Sequence, residues 1–177
     1  MRTAQQHWFI ILFAISLLQM LYSCPLMPER MASHFDGTGN PDGWQSRSAF
    51  FGFSLGVVLA VVCCFRVLPS LLHRFPDALV NIPNKDVWLA PGWRKDTFAL
   101  LEDRMVLFGN ATFLFLMAVM QLVIQANLAP ASRMSAGAIG GLMAAYLFFI
   151  IAWIAGLLRR FRRRPEGERA AEEKHVE

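Results

Sequence analysis

The stretch that decides the fold is "MVLFGNATFLFLMAVMQLVIQANL", residues 105–128, which runs for twenty-four residues without a charged side chain. A hydrocarbon core of about 30 Å needs roughly 20 apolar residues in a helix. This run is long enough to cross a bilayer, and three others, 8–24, 49–72 and 136–158, resemble it. Four transmembrane helices are therefore predicted. Composition agrees, since 55% of the 177 residues are hydrophobic and only 17% charged, where soluble domains average about 25% charged.

The first run is the shortest and contains Ser16 and Gln19. Its alternative reading is a cleaved signal peptide, with "LYSC" (21–24) resembling a lipoprotein cleavage box. Tyr22 and Pro25 fit such a box poorly and only Arg2 precedes the run as a basic residue, so it is read as a retained span.

Basic residues in the connections set the direction of threading. The 73–104 connection and the chain from 159 onward hold twelve Lys and Arg, five of them in "RRFRRR" (159–164), against three in 25–48 and 129–135. Positive charge stays on the cytoplasmic side. Both termini are thus expected inside and the 25–48 loop outside. A basic block directly after an apolar helix orients a membrane protein, and no nucleic-acid partner is expected from it. Cys24 stands alone and the adjacent Cys63 and Cys64 point about 100° apart on a helix, so neither a disulfide framework nor a zinc site is implied.

Small residues recur every four positions at Gly52, Gly56, Ala60 and Cys64, and at Gly137, Gly141 and Ala145. Close helix packing is the expected use. Arg66 is the charged residue within a span, and it either snorkels to the cytoplasmic headgroups or faces the bundle. Gln121 and Gln125, at i and i+4, share a helix face with Asn127 just beyond, and are read as interhelical hydrogen-bonding glue or, in the sharper alternative, as the lining of a path.

Between the first two spans lies "HFDGTGNPDGW" (34–44). "NPDG" (40–43) suits a type I turn, with Asn40 first, Pro41 second and Gly43 last. Gly39 adds freedom and Trp44 suits a membrane interface. His34, Asp36 and Asp42 remain as candidate ligand-binding or titrating groups. An EF-hand calcium loop fails: starting at Thr38 the twelfth position is Ala49, and starting at Asp36 the sixth is Pro41. A looser metal site at His34, Asp36 and Asp42 stays open, but no cofactor is implied, and no nucleophile elbow, H-E-x-x-H pair or phosphate loop is present to mark an enzyme.

The 73–104 connection is punctuated by Pro76, Pro83 and Pro91 and then places Trp93, Phe98, Leu101 and Met105 at near-helical spacing among charges. An amphipathic helix on the inner surface, leading into the third span, is expected. A docking segment for a cytoplasmic protein is its alternative.

The segment "PERMASHFDGTGNPDGWQSRSAFFG" after a first span resembles the bacterial membrane family called domain of unknown function 1648, whose motif is P-x-x-x-P-x-H-F-x-x-x-G-x-P-D-G-W. Pro28, His34, Phe35, Gly39, Pro41, Asp42, Gly43 and Trp44 match it, and Ala32 stands where the family usually has proline. "NIPNKDVWLAP" (81–91) resembles a segment of longer members, so the similarity is expected to cover about residues 8–128. The family has no established activity. Its module also opens the immunity proteins against a sporulation-delaying toxin, and the resemblance thereby implies immunity or signalling.

The expectation is an all-α integral membrane protein of a bacterial inner membrane. Its four helices (1–158) carry an outer loop and an inner amphipathic segment, and a charged tail (159–177) follows. The leading role is sensing an extracytoplasmic peptide or small ligand through His34, Asp36 and Asp42 and reporting it to a cytoplasmic protein. Pro28, Gly39, Asn40, Pro41, Gly43 and Trp44 would shape the loop. The alternative is a small transporter using Arg66, Gln121 and Gln125, and a third reading is a membrane enzyme.

Overall fold

The computed structural model describes residues 2–163 of the chain. The chain forms helix α1 (Arg2–Ser23), strands β1 (Arg30–Phe35) and β2 (Pro41–Ser46), and helices α2 (Arg47–Val62), α3 (Leu68–Leu71), α4 (Lys85–Trp88), α5 (Arg94–Leu128) and α6 (Ala136–Arg162). Four helical stretches are long and apolar enough to span a membrane: Ala4–Leu26, Arg47–Arg74, Arg94–Leu128 and Ala136–Arg162. Each contains a predicted run. The predicted tail is helical in its first four residues, and 164–177 lie outside the described residues.

Local chemistry sets the helix ends. Ser46 Oγ accepts the Ala49 N–H at 3.2 Å and Ser135 Oγ accepts that of Ala138 at 3.3 Å, which are N-caps satisfying donors that a helix leaves orphaned. α5 stops at Leu128 because Ala129 precedes Pro130 and is extended, with ψ 142°.

α1 and α5 run parallel and share the core. The Gln5 carbonyl accepts from Asn110 Nδ2 at 3.1 Å, Phe9 meets Phe113 edge-on at 5.0 Å, and Gln19 Nε2 donates to the Met117 carbonyl at 3.1 Å. Phe113, Val106 and Met31 are fully buried there. α6 lies against α5, fixed by Trp153 Nε1 donating to the Arg104 carbonyl at 3.0 Å and by Thr112 and Tyr146 hydroxyls 2.7 Å apart. Its other face is open, with Phe148 73% exposed, as a lipid-facing helix would be.

Three expectations need correction and one is met. The chain is not all-α, because the 30–46 segment pairs as an antiparallel hairpin. "NPDG" is not the turn: the reversal spans Asp36 to Asn40, and Pro41 already opens β2. The amphipathic segment expected to lead into the third span does so without a break, as the start of one helix of 35 residues, about 52 Å long at 1.5 Å per residue. Finally, the small-residue stripes do not mediate packing within the described chain, since a Cβ at Gly52, Gly56, Gly137 or Gly141 would meet nothing within 4 Å.

The 72–93 connection holds the end of α6. Asn84 Nδ2 donates to the carbonyls of Phe161 and Arg162 at 3.0 and 2.9 Å, Trp88 Nε1 donates to that of Phe161 at 3.0 Å, and the Arg160 guanidinium lies 5.3 Å from the Trp88 ring centre. Phe161 is fully buried against Trp88. "NIPNKDVWLAP" is thus, in part, a cradle for the last carbonyls of α6 that no intrahelical N–H can reach.

Candidate functional site

The hairpin is built on two opposed irregularities. Ala32 pairs with Trp44 and His34 with Gly43, so Ser33 is the extra residue on β1; Phe35 then pairs with Pro41, which makes Asp42 the extra residue on β2. Bulges re-aim side chains. Here His34 and Asp42 meet on the exposed side, with Nδ1 of the imidazole 2.5 Å from Oδ1 of the carboxylate and the side chains 74% and 46% exposed. Gly43 permits this, because a Cβ in its place would lie 2.8 Å from His34 Cβ.

Asp36 does not join that pair. Its Oδ1 accepts from the Thr38 hydroxyl at 2.7 Å and from the backbone N–H groups of Thr38 and Asn40 at 2.8 and 2.9 Å, while Asn40 Nδ2 reaches Oδ2 at 3.4 Å and Thr38 Oγ1 at 2.8 Å. The Thr38 hydroxyl, followed by the Asn40 amide, holds the carboxyl down at about 2. Asp36 is therefore the organiser of the turn, a role the sequence reading assigned to Asn40 and Pro41. Among the described residues no group of three or more His, Cys, Asp and Glu is placed to hold a metal ion, and the looser site at His34, Asp36 and Asp42 does not assemble.

The bundle grips the hairpin at three places. Asn127 forms two bonds to the Ala32 backbone, accepting its N–H at 2.8 Å and donating to its carbonyl at 2.9 Å. At the tip, Gly39 adopts φ +86° and accepts the Met134 N–H at 2.9 Å, so close to the α5–α6 turn that a Cβ would lie 2.0 Å from the Met134 carbonyl oxygen. At the base, Arg47 donates from its guanidinium to the Met27 carbonyl and from its amide to the Glu29 carbonyl, at 2.9 and 2.8 Å, on either side of Pro28. Trp44 stays 45% exposed beneath the Arg30 guanidinium.

Sequence reading missed Asn127, Arg47 and Met134 as partners of the hairpin. Asn127 stood out as a polar residue at a span end, but its partner is a backbone 95 residues away, which no local pattern reveals.

The intramembrane polar residues divide. Arg66 Nη1 lies 3.5 Å from Glu102 Oε1 on α5, with the arginine side chain 40% exposed. Gln121 accepts from Gln19 at 3.2 Å, and Gln125 is exposed. Arg66 sits in a π-helical turn, Cys63–Val67, that the reading of an uninterrupted span did not anticipate.

Under the hairpin α1, α2 and α5 enclose a partly open cavity of about 240 Å³. Ser33 and Gln45 of the hairpin, Gln19 of α1 and Ser54 of α2 line it together with Val57, Val58 and Met120.

Residues 11–70 match the family described as Domain of unknown function (DUF1648). The matched segment takes in most of α1, the whole hairpin, α2 and α3 as far as Ser70, and it ends well short of the expected 128. No curated protein and no solved structure matches the chain.

Proposed function

We propose that this chain is a multi-pass protein of a bacterial inner membrane that recognises an extracytoplasmic ligand with its hairpin and passes occupancy on to a cytoplasmic partner, in an immunity or signalling role. One observation carries the reading. The hairpin backbone is fixed to the bundle by Asn127, Met134 and Arg47, yet the His34–Asp42 pair makes no bond to the bundle among the described residues and faces solvent. A rigid platform presenting a polar pair that its own fold does not consume is how binding residues are usually displayed. The orientation rests on the distribution of basic residues, with the hairpin outside and the 72–93 connection inside. The grip of that connection on Phe161 and Arg162 offers a route by which α6, whose preceding turn is touched by the hairpin at Met134, could report inward.

The transporter reading draws less support from the spans, because Arg66 and Gln121 are engaged by Glu102 and Gln19, which leaves Gln125, exposed on α5.

Substitution separates recognition from folding. His34→Gln and Asp42→Asn should leave membrane abundance within about twofold, as surface changes cost little, and should abolish the cellular phenotype of the gene. Gly43→Val should instead deplete the folded protein, since its side chain collides with His34. If both polar variants retain a full phenotype, the hairpin is a connector.

A further inference from the structure

We propose that the cavity beneath the hairpin is a binding site for an uncharged amphiphile, with a hydrogen-bonding head under the strands and a short apolar tail between α2 and α5. The proposal deepens the reading of the hairpin as a recognition element and rests on it only for the choice of face.

The lining is graded. Ser33 and Gln45 hang from the hairpin, Gln19 lies in the penultimate turn of α1 and Ser54 is two turns into α2, whereas Val57, Val58 and Met120 are apolar. Head chemistry follows from what is unused. The side chains of Gln45 and Ser54 make no hydrogen bond among the described residues, and Gln19 uses its amide nitrogen on Met117 and Gln121 while its oxygen makes no such bond. Amide donors and acceptors and a free hydroxyl match alcohol, ester or amide groups.

Charge decides against the commoner lipids. Among the described residues no Asp, Glu, Lys, Arg or His lines the cavity, so a charged head would give up its water without an ionic partner. Size limits the tail. About 240 Å³ lies just under the ~300–1,000 Å³ of drug-sized sites, so a single short chain fits and a two-chain phospholipid does not. Access is lateral: Phe53 at the rim is 72% exposed and belongs to a helix that faces lipid.

The full-length protein, reconstituted in phosphatidylcholine vesicles, can be tested with a medium-chain monoacylglycerol bearing a diazirine in its tail. After photolysis, label should concentrate on cavity residues of α2 and α5. Unlabelled monoacylglycerol should compete, and the fatty acid anion of equal chain length should not. Val57→Trp and Ser54→Leu, which fill the space, should each lower cavity labelling by about tenfold or more, the scale on which pockets sense small changes of fit. Label spread over the open face of α6 at Phe148 and Ile151 in the same measure as over the cavity would overturn the proposal. So would equal competition by the anion. The competition arm uses the unmodified chain, so misfolding of a variant leaves the test decisive. It is also separate from the phenotype of His34→Gln and Asp42→Asn: no cavity labelling together with an abolished phenotype in those variants refutes the cavity alone, and cavity labelling with a retained phenotype refutes the hairpin alone.

Discussion

The carboxylate of Asp36 is wrapped by one hydroxyl and two amide donors, and its acidity records that arrangement. Because the folded value, about 2, lies below the ordinary 3.8, the charged carboxylate stabilises the turn fully above the ordinary value, and that contribution fades as pH falls from there through about 2. Carbon-detected NMR of the micelle-bound chain should place the Asp36 midpoint near 2; a midpoint at 3.8 would mean the cradle does not form. Asn127 allows a sharper test. Asn127→Leu strands the buried N–H and carbonyl of Ala32, and two such groups cost roughly 2–6 kcal/mol, read as a lowered Tm in detergent. A loss under about 1 kcal/mol would contradict the clamp.

At the scale of elements, Pro69 accounts for the π turn. Proline in a helix cannot donate to the carbonyl four residues back and its ring crowds that group; here the Leu68 N–H reaches instead to Cys63, five residues back, and the widened turn carries Arg66 towards Glu102. Pro69→Ala should restore regular winding and swing residue 66 around the helix by about 100°. Spin labels at Arg66 and Glu102 should then move apart by about 5–8 Å, given a helix with side chains some 10–12 Å across; an unchanged distance would show that the turn has another cause. Legibility differed by element. The four spans were plain because apolar length is a local property. The strands "RMASHF" and "PDGWQS" were not, since their pairing carries two bulges and proline opens the second. The glycine stripes misled for a related reason: spacing shows which residues share a face but not whether a neighbour lies opposite.

Across the whole molecule, α6 is held mainly at its ends and along α5. The turn before it touches the hairpin through Met134 and its finish is bound by Asn84 and Trp88. Both contacts were hidden in the sequence, because each joins segments more than 70 residues apart. The functional account depends on these two ends lying on opposite sides of a bilayer, with the hairpin outside. The direct measurement is labelling by an impermeant thiol reagent in a background with Cys24, Cys63 and Cys64 replaced. Gly37 is the outer probe position, because a Cβ there meets nothing within 4 Å, and exposed Asp86 is the inner one, preferable to Asn84, whose side chain holds α6. Gly37→Cys should react in intact spheroplasts and Asp86→Cys only after lysis. Reaction of Asp86→Cys in intact spheroplasts, with Gly37→Cys protected until lysis, would invert the protein and remove the hairpin from any extracytoplasmic ligand.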